Sequence, residues 1–278
     1  MSDLRPSPIA GTWYPGNPDA LRQSIESQLA LVDPKPPEGE IVGVIAPHAG
    51  HRYSGGVAAH AFRILEGLEP EVVAVISPLH SPYPGDVFTT DHDAYSTPLG
   101  EIPIARDILD RLESLLEDPL KFVRLRNDSE HSLEIELPFL QEVIKRPFKL
   151  LPLMVLKQTK AVTEILGHAL AQTLNDEVSI LVASSDLSHF YPAAIAHQYD
   201  TEVLKRIEAF DPVSVITAEE EGVGFACGRG AVATVLWAAK DLGANKVEIL
   251  AYAHSGDVTG DNSSVVGYGA AAILQTHE

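Results

Sequence analysis

The sequence predicts an α/β fold, a single layered domain around a mostly parallel sheet, and two observations predict it. Short, β-branched apolar runs alternate with amphipathic helical stretches along the whole chain, the order expected of strands linked by crossover helices. Three of those runs also end at a histidine in a polar, glycine- or proline-rich turn: Ile41–Ile45 before Pro47-His48, Glu71–Ile76 before Pro78-Leu79-His80, and Val178–Ala183 before Asp186-Leu187-Ser188-His189. Open parallel sheets place ligands beyond the carboxyl ends of their strands, which raises the functional weight of side chains at those points. At 278 residues the chain is long enough to bury a large core, and the expectation is one domain over residues 1–278.

Taken in order, residues 10–16 form an N-terminal loop in which Trp13 and Tyr14 are expected to bury themselves against the domain. Asn17-Pro18-Asp19 supplies a helix cap, a proline at the first helical position and an acidic first turn. The helix that follows carries Leu21, Ile25, Leu29 and Val32 on one face, and Pro34, Pro36 and Pro37 then stiffen the lead into the first strand. Ser54–Leu68 read as the crossover helix of a right-handed βαβ unit. His51 reads as solvated and His60 as structural.

Ser81–Pro103 is a long polar connection with a short edge strand at Phe88–Thr90 and a hydrated loop around His92. Ile104–Leu116 is a covering helix. Asn127–Ser132 reads as the start of another helix, with Asp128 or Ser129 as its cap and Glu130 at the positive end of its dipole. His131 is then left either in solvent or facing a cleft. Phe148–Val155 is a strand, and Thr159 caps the helix after it. Asp211-Pro212 ends one helix and opens the next.

Gly222–Gly230 holds the one cysteine, Cys227, just ahead of a helix spanning residues 231–242. A helix start and Arg229, two residues on, would both favour the thiolate. The alternative for Cys227 is a small buried hydrophobe. Lys246–Ala253 and Ser264–Leu274 read as the last two strands.

Composition narrows the function. A formal charge of -19, from 39 acidic and 20 basic residues, opposes binding to nucleic acid through a general positive field. No run of ~18 apolar residues offers a membrane span, and the opening MSDLRPSPIAG lacks the order of a signal peptide. A soluble, cytoplasmic protein is expected, and a single cysteine agrees with a reducing compartment.

Histidines and a thiolate delivered from strand ends match iron, zinc or copper better than magnesium or calcium. Compact zinc spacings such as CxxC or HExxH are missing, so a metal site would depend on tertiary convergence. Each histidine alone also fits a structural, hydrogen-bonded role. Asp186 could either ligate or orient an imidazole through its second nitrogen.

The APHAG around His48, the S-P-x-H of His80, the D-x-E-H-S of Glu130 and His131, the SSDLSH of Asp186 and His189, and the C-G-R of Cys227 together resemble the Memo family. Its bacterial and archaeal members are known as AmmeMemoRadiSam system protein B. The opening AGTWYP and the closing SGDVTGDNSSVVGYGAAAI are similar to the same family. The resemblance implies a fold shared with class III extradiol ring-cleaving dioxygenases. It also implies metal ligation by His48, His80 and Cys227, with His189 as the nearby site histidine; Asp186 and His131, read from the residues themselves, join His189 as the catalytic candidates. Fe(II) is the metal implied first, with Cu or Zn as alternatives, and AMMECR1-like and radical-SAM proteins are the implied partners.

Cys227 stands where the dioxygenases are expected to carry a carboxylate, a departure that argues against ring cleavage proper. Three functions follow as expectations: a metal-binding protein with redox or oxygenase-like activity, a non-catalytic metal-binding or docking module, and a hydrolase with Cys227 as nucleophile and His189 as base.

Overall fold

The computed structural model describes residues 3–33, 35–116 and 118–277, so Met1, Ser2 and Pro34 of the stretches named above lie outside it. Its first half contains β1 (Leu4–Arg5), α1 (Pro18–Leu29), β2 (Glu40–Ala46), α2 (His51–Arg63), β3 (Val72–Pro78), β4 (Val87–Thr90), β5 (Ala94–Thr97), β6 (Gly100–Pro103), α3 (Arg106–Leu116) and β7 (Phe122–Leu125). After a 3-10 turn at Glu134–Glu136 come α4 (Leu137–Val143), β8 (Lys149–Val155), α5 (Lys160–Leu174), β9 (Ser179–Ser184), β10 (Asp186–Tyr191), α6 (Ala193–Glu208) and α7 (Pro212–Glu220). The chain closes with α8 (Arg229–Asp241), β11 (Lys246–His254), α9 (Ser255–Thr259) and β12 (Val265–Gln275).

Four adjacent strands, β2, β9, β3 and β8, are parallel, and every residue of β3 is buried, as a strand covered on both faces requires. Antiparallel partners extend this centre: β12, with β10 and β11 beside it, on the β2 side, and β4 with β7 on the β8 side. The layered α/β fold is therefore as expected, with its parallel order concentrated in the four central strands of a mixed sheet. Helices α1, α2 and α4 pack together on one side, and α3, α5, α6, α7 and α8 form a second packed set. One contiguous apolar cluster fills the layers. Among the described residues no helix is long and apolar enough to cross a membrane.

Local chemistry sets the helix boundaries. The Asn17 side chain accepts from the backbone N–H groups of Asp19 and Ala20, Thr159 caps α5, and Asp211 caps α7 ahead of Pro212. Leu21, Ile25, Leu29 and Val32 are all buried, as their spacing implies.

Several local expectations give way to tertiary contacts. Phe88–Thr90 belongs to β4, an interior strand paired with both β7 and β8. The connection around it holds β5 and β6, which join β1 in a separate three-stranded sheet. His51 is buried, with Nε2 3.0 Å from the Ile135 carbonyl oxygen. His92 is likewise buried, its Nδ1 3.0 Å from Asp3 Oδ1.

Candidate metal centre

The strand order creates the site. Strands β2 and β3 flank β9 in parallel, so their carboxyl ends deliver His48 and His80 to either side of the point where β9 releases Ser184 and Asp186. Cys227 arrives from the other direction, two residues before α8. A Cβ at Gly228 would run into the Ser184 carbonyl, and the Gly228 N–H donates to Ser185 Oγ at 3.0 Å. Only glycine lets this turn close on the end of β9 and bring the thiol into the cleft.

His48, His80 and Cys227 each present one donor atom, and these atoms all lie within 4.8 Å of one another, a group that could hold a metal ion. Cys227 Sγ is 3.1 Å from His48 Nε2, and the His48 and His80 rings are 5.4 Å apart between centroids. Both imidazoles are oriented through their second nitrogens. His80 Nδ1 is 2.9 Å from Glu130 Oε1, and the His80 backbone N–H donates to Glu130 Oε2 at 2.6 Å. His48 Nδ1 is 2.9 Å from Ser184 Oγ. Fixing one ring nitrogen in this way leaves the other free to bind a metal.

Glu130 is thus not the helix-terminus acid its sequence context implies. No helix begins at Asn127–Ser132; the 3-10 turn starts at Glu134. Asp128 takes a bidentate pair from the fully buried Arg5, with Nε to Oδ2 at 3.0 Å and Nη2 to Oδ1 at 2.6 Å. The same Arg5 reaches Glu134 at 2.6 Å and the Glu130 carbonyl at 2.8 Å. The N-terminal strand therefore braces the loop that carries Glu130 and His131. Burial opposes ionisation of Glu130, but the His80 side chain, with the backbone N–H groups of His80 and Ser132, outweighs it and holds the carboxyl well below its ordinary range. Burial likewise depresses His80, and the Glu130 contact overrides it and raises the imidazole.

Asp186 holds the turn after β2. Its Oδ1 accepts from the backbone N–H of His48 at 2.7 Å and of Ala49 at 3.2 Å. Burial pushes its carboxyl up to about 7 against those hydrogen bonds. His131 stacks on His80 at 4.8 Å, lies 5.6 Å from the His48 ring, and is covered by Trp13 at 4.1 Å. Burial brings His131 down to about 4, and His48 is lowered well below its ordinary value first by burial and then by the neighbouring His131 and His80. Trp13, read from the sequence as an anchor, is 37% exposed and forms this cover instead, while the next residue, Tyr14, is buried and donates to Glu134 Oε1 at 2.7 Å.

His189 lies on β10, where the sequence implies a loop. Register shifts interrupt the pairing of β10 with β12 on both sides of His189, and the next residue, Phe190, is left-handed (φ 65°). Its Nδ1 is 2.8 Å from the Leu187 carbonyl oxygen, and Phe190 and Phe225 flank it edge-on. Burial, and behind it the His80 charge, lowers its basicity.

Cys227 departs from expectation electrostatically. Arg229 pairs with Glu219, not with the thiol. Burial, followed by the Asp186 charge, pushes the Cys227 thiol well above its ordinary value. The imidazole at the thiol is His48 and not His189. Ser184 and Arg5 are supporting residues that no local sequence signal assigns, while Glu130 and Trp13 serve the site in place of the helix dipole and the terminal anchor that the sequence implies.

Fold and site together define an α/β protein with an imidazole- and thiol-bearing group at the carboxyl ends of its central strands. A family model described as "Memo-like protein" matches residues 5–272. A MEMO1 family protein of Nitrosopumilus maritimus is 35% identical, covering 98% of this chain and 100% of its own length. One of Methanopyrus kandleri is 36% identical over 94% of this chain and 96% of its own. The crystal structure of uncharacterized protein JW3007 from Escherichia coli K12 shares the fold with a TM-score of 0.58 at 16% identity, covering 83% of this chain and 99% of that one. The chain belongs to the Memo family.

Proposed function

We propose that this protein uses His48, His80 and Cys227 to bind one first-row metal ion, Fe(II) first with Cu or Zn as alternatives, at a centre for redox or oxygenase-like chemistry. The observation that carries the reading is the His/His/Cys group with donor atoms within 4.8 Å of one another, its imidazoles held from behind by Glu130 and Ser184. Two imidazoles and a soft anionic sulfur suit these metals, and a bound metal would supply Lewis acidity or electron transfer. The protein's own contributions are orientation by Glu130, Ser184 and Asp186, and neutral imidazoles at His131 and His189 beside the ligands, able to accept or return a proton.

The Cys-nucleophile reading is disfavoured, because a thiol pushed upward is a poor nucleophile at neutral pH. AMMECR1-like and radical-SAM proteins remain the partners, and the cytoplasm the location, that family membership brings to this proposal. Metal analysis of protein purified without oxygen, with Cys227→Ser and His80→Ala alongside, tests it. One metal per chain in the wild type and little in either variant is expected; wild type without stoichiometric metal, after loading with Fe(II), Cu(I) and Zn(II) in turn, would sink the proposal.

A further inference from the structure

Behind His48, Ser184 joins a buried polar group whose carboxyl, Glu136, has no role in the proposed chemistry. Ser184 Oγ has three partners: His48 Nδ1 at 2.9 Å, the Ser132 carbonyl oxygen at 2.6 Å and Glu136 Oε1 at 2.8 Å. All four residues are at most 2% exposed. A hydroxyl carries one hydrogen and two lone pairs. Each of the three contacts needs one hydrogen, and the Ser132 carbonyl has none to give. The hydroxyl hydrogen therefore goes to Ser132. The other two contacts fall on the lone pairs of Ser184, and their hydrogens come from His48 Nδ1 and from Glu136. An ionised Glu136 would compete with the Ser132 carbonyl for a single hydrogen, leaving two oxygens in contact without one where no water can intervene.

We propose that Glu136 is a protonated carboxylic acid that, acting through Ser184, fixes His48 in its Nδ1–H tautomer and leaves Nε2 bare toward Cys227 and a metal ion. Glu136 is a positioning residue in this role, since it touches neither the thiol nor the site's donor atoms. Its surroundings agree: burial pushes its carboxyl well above the ordinary range, and the Asp186 charge adds to this. The tautomer follows from the hydrogen count alone. Only its use, presenting Nε2 to a metal, rests on the proposed metal centre.

Two spectroscopic readouts on metal-free wild-type protein test the assignment. Histidine-selective 15N NMR reads which nitrogen of His48 carries hydrogen, and glutamate-selective 13C NMR reads the ionisation of Glu136, assigned by the loss of one carboxyl signal in Glu136→Gln. Expected are an Nδ1–H imidazole and one un-ionised glutamate at neutral pH. The glutamine amide can still donate to Ser184, so Glu136→Gln should keep the tautomer and bind Zn(II) within a few-fold of wild type. Ser184→Ala should shift the tautomer toward Nε2–H and weaken Zn(II) by ~10–100-fold, the usual effect of losing an outer partner. An Nε2–H imidazole in the wild type, or an ionised Glu136 at neutral pH, would overturn the proposal. The expected tautomer in a protein that takes up no metal would support the hydrogen assignment and count against the metal centre alone.

Discussion

Cys227 Sγ lies 3.1 Å from His48 Nε2, inside a group of three donor atoms that all lie within 4.8 Å of one another. Without metal, that contact is a thiol hydrogen bond to an imidazole lone pair, because burial keeps the proton on sulfur. A metal ion would displace this proton, since only the thiolate ligates. Metal-free protein should therefore alkylate slowly at neutral pH and faster only as pH rises beyond the ordinary thiol value of ~8.5. Calorimetric titration with Zn(II) in buffers of different ionisation enthalpy should show about one proton released per metal from the thiol. Cys227→Ser should cost more affinity than the ~10–100-fold of an outer-partner change. Rapid alkylation of the metal-free thiol at neutral pH, or no proton release on binding, would contradict this account.

Glu130 should make stability depend on pH in a definite window. Its folded-state acidity is raised, so its contribution is complete above the ordinary carboxylate value of ~4.3 and fades as pH falls through the depressed value. His80 behaves oppositely: its contribution is present below ~6.5 and fades as pH rises through its raised folded value. The difference between wild type and Glu130→Gln should peak between these limits. Because the His80 side chain is 38% exposed, solvent screens the pair, and roughly 1–2 kcal/mol is expected, below the ~3–5 kcal/mol of a fully buried pair. Urea melts of both proteins across that range provide the check, and a pH-independent difference would mean that the His80 contact does not carry the effect.

The Trp13 ring over His131 gives a direct test of burial as the cause of the low imidazole value. Trp13→Ala admits water to one face of His131, which at present titrates at about 4. Relief of desolvation favours the charged form, so His131 should move up toward the ordinary ~6.5 while His51, buried elsewhere at about 4, stays in place. An NMR titration of the histidine ring protons resolves the two. No movement of His131 would leave the neighbouring His80 charge as the controlling influence.

How much of this was legible before the structure depends on how far apart the interacting residues lie. His48, His80 and Cys227 could be picked out because each sits beside a local boundary, a strand end or a helix start, that shows in a few consecutive residues. Asp128 and Glu130 were misread because the capping signals of Asn127–Ser132 are genuine locally. What overrides them is Arg5, 123 residues from Asp128, together with the backbone of His80. Strands β5 and β6 have four residues each, too few for a period of two to stand out. The thiol follows the same rule: Arg229 lies two residues from Cys227 in sequence, but its charge goes to Glu219.

The placement of β10, and with it His189, should depend on Asp200 of α6. Asp200 is fully buried; one carboxylate oxygen accepts from the Ser188 N–H at 2.8 Å and the other from Tyr252 Oη at 2.8 Å. A Cβ at Gly267 would collide with this carboxylate, which cannot swing away while both oxygens are engaged. Gly267→Ala should therefore cost ~1–3 kcal/mol or more through overpacking. Asp200→Ala should cost ~1–3 kcal/mol by stranding the Ser188 N–H and the Tyr252 hydroxyl. Removing the carboxylate also removes the obstacle, so the double variant should lose clearly less than the sum of the singles, a coupling of ~0.5–3 kcal/mol. Urea denaturation of the four proteins measures it. Strict additivity would show that the carboxylate does not enforce glycine at position 267, and that β10 is held against the sheet by its other contacts.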